Sequence, residues 1–230
     1  MLERNINPDD KLKELSLYSP GEIEHQVQPE GGRDLSLYEQ HLLFNRQELE
    51  GKTVLDLGAG PEAKFAKQLK ESGIKADVVS LSPDFTKERY RKKVKESFPE
   101  GKFVAATGQA LPFADESFDR IFAFHLVEHI SQKMFLRCIL EIARVLKKGG
   151  KATLGTMPDV DDPDSIALGN SKETMEKLKI YGVKVIQESI PKKKLLIKSM
   201  KVYHDEDDHY GQRIYNVTCH NIVLIKNDNK

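Results

Sequence analysis

Apolar positions recur every second residue in some stretches of this chain and every third or fourth in others, and the two periods alternate from residue 51 onwards. The two-residue period predicts strands over 53–57, 77–81, 103–107, 120–124 and 152–157. Helical spacing fills the gaps, over 61–72, 83–98 and 131–148. In the last of these, Phe135, Ile139, Ile142, Ala143 and Leu146 share one face, and Lys147 and Lys148 precede Gly149 as a helix end prefers. Strands separated by helices imply right-handed crossovers, so the pattern predicts an α/β fold with a parallel sheet covered on both faces.

The tail changes character. A helix is expected over 172–181, ended by Gly182, then a sixth strand over 183–190 and a seventh over 215–225. No full helix is needed between the last two, so they are free to pair antiparallel. Residues 191–203 stay open between helix and strand. At the other end, Pro8, Pro20, Pro29 and the Gly31-Gly32 pair mark residues 1–34 as a loosely structured arm or cap. A leading helix over 35–49 then begins the main domain, 35–230.

Composition narrows the classes. A chain of 230 residues is long enough for one domain with a full core. Basic and acidic residues both number 36, so no net field points to nucleic acid or an anionic membrane. The polar start MLERNINPDDKLKEL does not resemble a signal peptide, and no apolar run approaches the ~20 residues a membrane span needs. Cys138 and Cys219 lie far apart, in a helical and a strand context, and are expected as buried free thiols. The expectation is a cytoplasmic protein with no membrane partner and no metal.

The densest chemistry lies at Thr53-Val54-Leu55-Asp56-Leu57-Gly58-Ala59-Gly60-Pro61. An apolar strand ends in two glycines, which turn tightly and let a ligand lie against the backbone. Pro61 suits the first position of a helix. Free amides and a positive helix end would then face whatever lies above the strand, as in a nucleotide-binding turn.

With this turn, the block ALPFADESFDRIFAFHLVEHI (110–130) and the segment VLKKGGKATLGT (145–156), the chain resembles the class I S-adenosylmethionine-dependent methyltransferases, specifically a methyltransferase type 11-like domain. The likeness is dense over about 51–158 and topological beyond it. It implies a three-layer, doubly wound, Rossmann-like sheet of seven mostly parallel strands in the order 3-2-1-4-5-7-6, with the last strand antiparallel. It implies S-adenosyl-L-methionine as cofactor, its methionine part lying on Gly58, Ala59 and Gly60, with Asp56 ordering the loop. Ser80, Leu81 and Ser82 would face the ribose, and Thr107, Gly108 and Gln109 the adenine. His125 would sit beside the methyl-bearing sulfur as the one candidate catalytic residue, and Tyr38 would close over the cofactor.

The family usually has acids where Ser80 and Thr107 stand and often a third glycine where Glu62 stands. A carboxylate makes hydrogen bonds roughly twice as strong as neutral ones. These departures keep a second reading beside the enzyme, a methyltransferase-like domain that binds a partner without catalysis. For the enzyme, a small-molecule acceptor is expected, with protein or RNA as the lesser options.

Rival motifs carry less. Gly58-Ala59-Gly60-Pro61-Glu62-Ala63 also satisfies G-x-G-x-x-G/A, but the acid expected about 20 residues later is missing. His125-Leu126-Val127-Glu128-His129 matches H-x-x-E-H, yet straddles a strand end and a loop instead of one helix. Asp159, Asp161, Asp162 and Asp164, the run His204 to His209, and Lys192 to Lys194 are expected as solvated loops. His25 and His41 are placed where they could reach the site from above.

Overall fold

The structure is a computed structural model, and it describes residues 34–124, 132–158, 172–190 and 219–228. Seven strands form one sheet: β1 (Thr53–Leu57), β2 (Asp77–Leu81), β3 (Lys102–Val104), β4 (Phe118–Phe124), β5 (Leu146–Pro158), β6 (Val183–Ile190) and β7 (Cys219–Lys226). Their order is β3-β2-β1-β4-β5-β7-β6. The first five pair parallel, and β7 runs antiparallel to both β5 and β6. The α/β class, the order and the single reversed strand are those the sequence and its resemblance implied.

Among the described residues the helices are α1 (Leu35–His41), α2 (Lys64–Glu71), α3 (Glu88–Ser97), α4 (Gln132–Val145) and α5 (Lys172–Ile180). Two apolar layers separate them from the sheet. On one face Phe135, Ile139, Ile142 and Ala143 of α4 bury against Leu55, Ile121, Ala123 and Leu154, all fully buried. On the other, Tyr38 and Leu42 join Phe65 and Leu69 of α2 over Val54, Phe122 and Phe124. Alternate residues of each strand serve opposite faces, so the central strands are apolar on both sides.

Several boundaries differ from the periodicity. The leading helix stops at His41, where Leu43 takes a left-handed φ of 50°, and a separate 3-10 turn, Arg46–Leu49, follows under an Asn45–Glu48 capping box. The helix expected at Pro61 begins only at Lys64, because Gly60 (φ 68°) and Ala63 (φ 47°) both turn the chain left-handed; Pro61 and Glu62 belong to the turn. The region 83–98 splits into a 3-10 turn, Pro83–Thr86, capped by Ser82, and α3. β3 spans three residues, so Thr107 lies beyond it in a turn that Ala110 N–H closes on the Thr107 carbonyl.

Lys147 and Lys148 do not end a helix. They lie in β5, where Leu146 pairs with Phe118 and a bulge follows before Lys151 pairs with Arg120. The expected arm, all but Asp34, lies outside the described residues, as do residues 191–203 and both acidic runs.

Candidate functional site at the carboxyl edge of the sheet

The parallel strands β1, β2 and β3 end side by side, and main-chain bonds stitch their ends together. The amides of Gly58 and Ala59 both donate to the Leu81 carbonyl, at 2.9 and 3.1 Å. Ser82 N–H donates to the Val104 carbonyl at 3.1 Å. The first two amides of the glycine turn are therefore committed to the protein, which corrects the expectation that they stand free. The turn is instead pre-shaped: φ is 84° at Gly58 and 68° at Gly60, values that glycine adopts without penalty. Around Gly60 a Cβ would meet nothing within 4 Å, so the space over the turn is open.

Beneath the turn, Asp56 is fully buried and its Oδ1 accepts from the Tyr38 hydroxyl at 2.8 Å. The Tyr38 ring stacks on Phe65 at 4.5 Å and meets Phe124 edge-on at 5.0 Å. The ring is thus a core group that braces Asp56. His41 is likewise buried, its ring 5.4 Å from that of Phe124.

Ser80 lies next to Asp56 in register, on the same face of the sheet. It is 1% exposed and its hydroxyl has no hydrogen-bond partner among the described residues. Such an orphan is costly unless something else satisfies it. Ser82 spends its hydroxyl locally, accepting from Asp84 N–H at 3.2 Å. Leu81 contributes its carbonyl to the turn and its side chain to the core. Gly108 is buried, with Thr107 and Gln109 half-buried on either side. His125 lies outside the described residues.

Two features had no readable signal in the sequence. Glu62 is held by Lys93 of α3 at 2.8 Å and by Lys64 at 3.6 Å, and the Lys93 hydrogen bond draws its carboxyl below the usual value. Its negative charge beside the turn is therefore largely offset. Val94 of α3 packs with Ala59, Ala63 and Phe85, seating that helix against the turn.

The second is a clamp on the loop between β3 and β4. Arg144 of α4 donates to the carbonyls of Leu111 (3.0 Å) and Phe113 (2.8 Å), to Asp115 and to both oxygens of Glu141. Glu141 in turn accepts from Leu111 N–H at 2.8 Å, and its carboxylate, with burial opposing and Asp115 adding, raises the Arg144 guanidinium above its ordinary value. Apart from the i,i+3 pair of Glu141 and Arg144, these contacts span about 30 residues, so no local pattern announces them.

Cys138 is buried among core side chains, where desolvation first and the charge of Glu141 second push its thiol up to about 12. It is inert structural sulfur, as expected. The Cys219 side chain lies outside the described residues. Among the described residues no cluster of His, Cys, Asp and Glu is arranged to hold a metal ion, and no helix is long and apolar enough to cross a membrane.

An open seven-stranded sheet with one reversed strand, carrying a glycine turn at the carboxyl end of its first strand, is the class I methyltransferase fold. Residues 55–154 match the methyltransferase domain family. An uncharacterized methyltransferase of Mycobacterium marinum is 33% identical over 108 residues, 47% of this chain and 40% of that protein. The chain thus spans about two fifths of the length of the curated relatives it matches. Among solved structures, a TehB-like SAM-dependent methyltransferase from Corynebacterium glutamicum superposes with a TM-score of 0.53 at 15% identity, covering 96% of each chain. The Burkholderia thailandensis 1,6-didemethyltoxoflavin-N1-methyltransferase, bound to its namesake substrate and S-adenosylhomocysteine, gives 0.52 at 13% identity, covering 99% of this chain and 94% of that one.

Proposed function

We propose that this chain binds S-adenosylmethionine over the Gly58–Gly60 turn and transfers its methyl group to an acceptor, with a small molecule as the first acceptor to test and protein or RNA as the others. The observation that carries the reading is the pre-shaped turn within the family-matched segment, beside a buried serine hydroxyl that lacks a partner among the described residues. Both features suit an adenosyl ligand: the open space at Gly60 would admit its methionine part, and Ser80 Oγ, without a partner among the described residues, is the polar atom we assign to a ribose hydroxyl.

The sulfonium supplies an already activated methyl group, so the work left to the protein is alignment and exclusion of water. In this proposal Gly58, Ala59 and Gly60 shape the floor, Asp56 orders the turn from beneath, and Tyr38 fixes Asp56. Leu81 and Ser82 hold the strand end against the turn while Ser80 meets the ribose. Thr107, Gly108 and Gln109 form the adenine wall on the loop that Arg144 anchors. His125 follows directly on β4 and is assigned the methyl-facing position. It acts as a base only where the acceptor must lose a proton.

Calorimetric titration of the full chain with S-adenosylmethionine tests the proposal. Saturable binding that Gly60→Val abolishes is expected. No heat and no thermal shift at millimolar cofactor would remove the enzyme reading and leave a methyltransferase fold put to another use. Transfer of a labelled methyl group to small-molecule, protein and RNA fractions then sorts the acceptors.

A further inference from the structure

Six of the nine residues from Lys87 to Lys95 are cations, and Glu88 is the one acid among them, in a chain whose overall charge is zero. This segment caps and builds α3, whose single buried side chain is Val94. At 3.6 residues per turn, Lys87, Arg91 and Lys95 stand one above another on a stripe about 12 Å long. All three are exposed, as are Arg89, Lys92 and Lys93. Lys93 is committed to Glu62, and Lys92 lies 3.9 Å from Glu96. Among the described residues, Lys87, Arg89, Arg91 and Lys95 have no carboxylate within ion-pair distance.

The arrangement is unfavourable for the helix itself. The pairs Lys87–Arg91, Arg91–Lys95 and Arg89–Lys93 set like charges four residues apart. Lys87, Arg89 and Arg91 also crowd the helix N-terminus, where the dipole favours acids. Glu88 in the first turn and Glu96 beside Lys92 offset only part of this, so the stripe can take an anion from outside. Tyr90 adds an aromatic platform: it is half-buried, the Arg89 guanidinium lies 4.5 Å over its ring, and Arg89 also donates to its hydroxyl at 3.0 Å. A tyrosine–arginine stack among cations suits a nucleobase as well as a phosphate. A membrane surface is the poorer match, since α3 exposes no large apolar side chain to insert. An acidic peptide would use the charges and leave the stack idle.

We infer that the outer face of α3 is a docking surface for single-stranded nucleic acid, with phosphates tracking Lys87, Arg91 and Lys95 and a base stacked at Tyr90. The surface lies outside the glycine turn, joined to it through Val94 and the Lys93–Glu62 pair. It binds the strand whether or not that strand is the methyl acceptor, so the inference does not depend on the proposed reaction.

The test is fluorescence anisotropy of a labelled single-stranded 20-mer RNA of mixed sequence with the full chain, across a salt series. Binding that weakens with salt is expected. Neutralising Lys87, Arg91 and Lys95 to Gln should weaken it at least about tenfold at low salt and cut the salt slope by about 2, near 0.7 for each lost phosphate contact. Tyr90→Ala should lower affinity and leave the slope unchanged. Neutralising Lys52, Lys75 and Lys148 at the opposite edge of the sheet should change little. The α3 variant should melt no lower than the parent, since it relieves repulsion, and should bind S-adenosylmethionine as the parent does. No binding at low salt, equal losses from both triple variants, or full competition by polyglutamate at equal charge would each overturn the inference.

Discussion

Replacing Arg144 with Met keeps most of the aliphatic stem and removes the whole guanidinium fork. The parent side chain reaches the carbonyls of Leu111 and Phe113 and the carboxylates of Glu141 and Asp115. Asp115 is 73% exposed, and that pair contributes close to nothing. The Arg144–Glu141 pair is about three-quarters buried on each side, and the two carbonyls are partly buried. Charged hydrogen bonds of this kind contribute about 1.5–3 kcal/mol each when well buried, but partial exposure and shared geometry make them far from additive. The expected loss is about 3 kcal/mol, or a fall in melting temperature of roughly 6–12 °C for a chain this size. Arg144→Lys should recover little, because an ammonium cannot span the fork. Because the same loop carries Thr107, Gly108 and Gln109, the affinity for S-adenosylmethionine should fall too. Urea denaturation and calorimetry read both effects. A loss under about 1 kcal/mol with unchanged affinity would show that the loop between β3 and β4 is held by its apolar contacts alone.

Other expected outcomes follow from single positions. Gly60→Ala should cost about 1 kcal/mol through its left-handed φ, yet weaken cofactor binding by more than that, since the Cβ enters otherwise open space; equal small effects on both would argue against a ligand there. Ser80→Asp places a second carboxyl beside buried Asp56, so it should lower the melting temperature of the free protein and enlarge the shift that S-adenosylmethionine produces; a smaller shift would mean that Ser80 does not meet the ribose. At the opposite edge of the sheet, burial works to raise the Asp119 carboxyl, but hydrogen bonds from Thr53 and the Lys147 ammonium outweigh it and hold the group at about 2, below its ordinary 3.8. A depressed carboxyl stabilises the fold above its unfolded value and loses that contribution as pH falls through the folded one. Acid titration of Asp119→Asn, followed by circular dichroism, should therefore show less destabilisation between about pH 4 and 2 than the parent.

Element types were legible wherever burial imposes a period. The face of α4 from Phe135 to Ala143 and the bounds of β6 follow the apolar spacing because one side must leave water. Boundaries were lost where backbone geometry overrides composition. Pro61 suggests a helix start, but the left-handed Ala63 postpones it; Lys147 and Lys148 suggest a helix end, but pairing with β4 draws them towards the sheet. In the site, the glycines and Ser80 were visible as a motif. The fate of the Gly58 and Ala59 amides was not, since it depends on the Leu81 carbonyl at the end of the next strand.

The sequence by itself determined the alternation of strand and helix, the glycine turn and the family likeness, because these rest on local periodicity and on residue types with special backbone freedom. The tertiary structure alone decided that Tyr38 braces Asp56 from inside the core, that Lys93 offsets Glu62, that Arg144 clamps the loop between β3 and β4, and that the helix packed on the turn through Val94 carries cations with no carboxylate partner among the described residues. Each of these joins groups well separated along the chain or depends on which charges find partners, and only packing brings such groups within the few ångströms over which hydrogen bonds and ion pairs act.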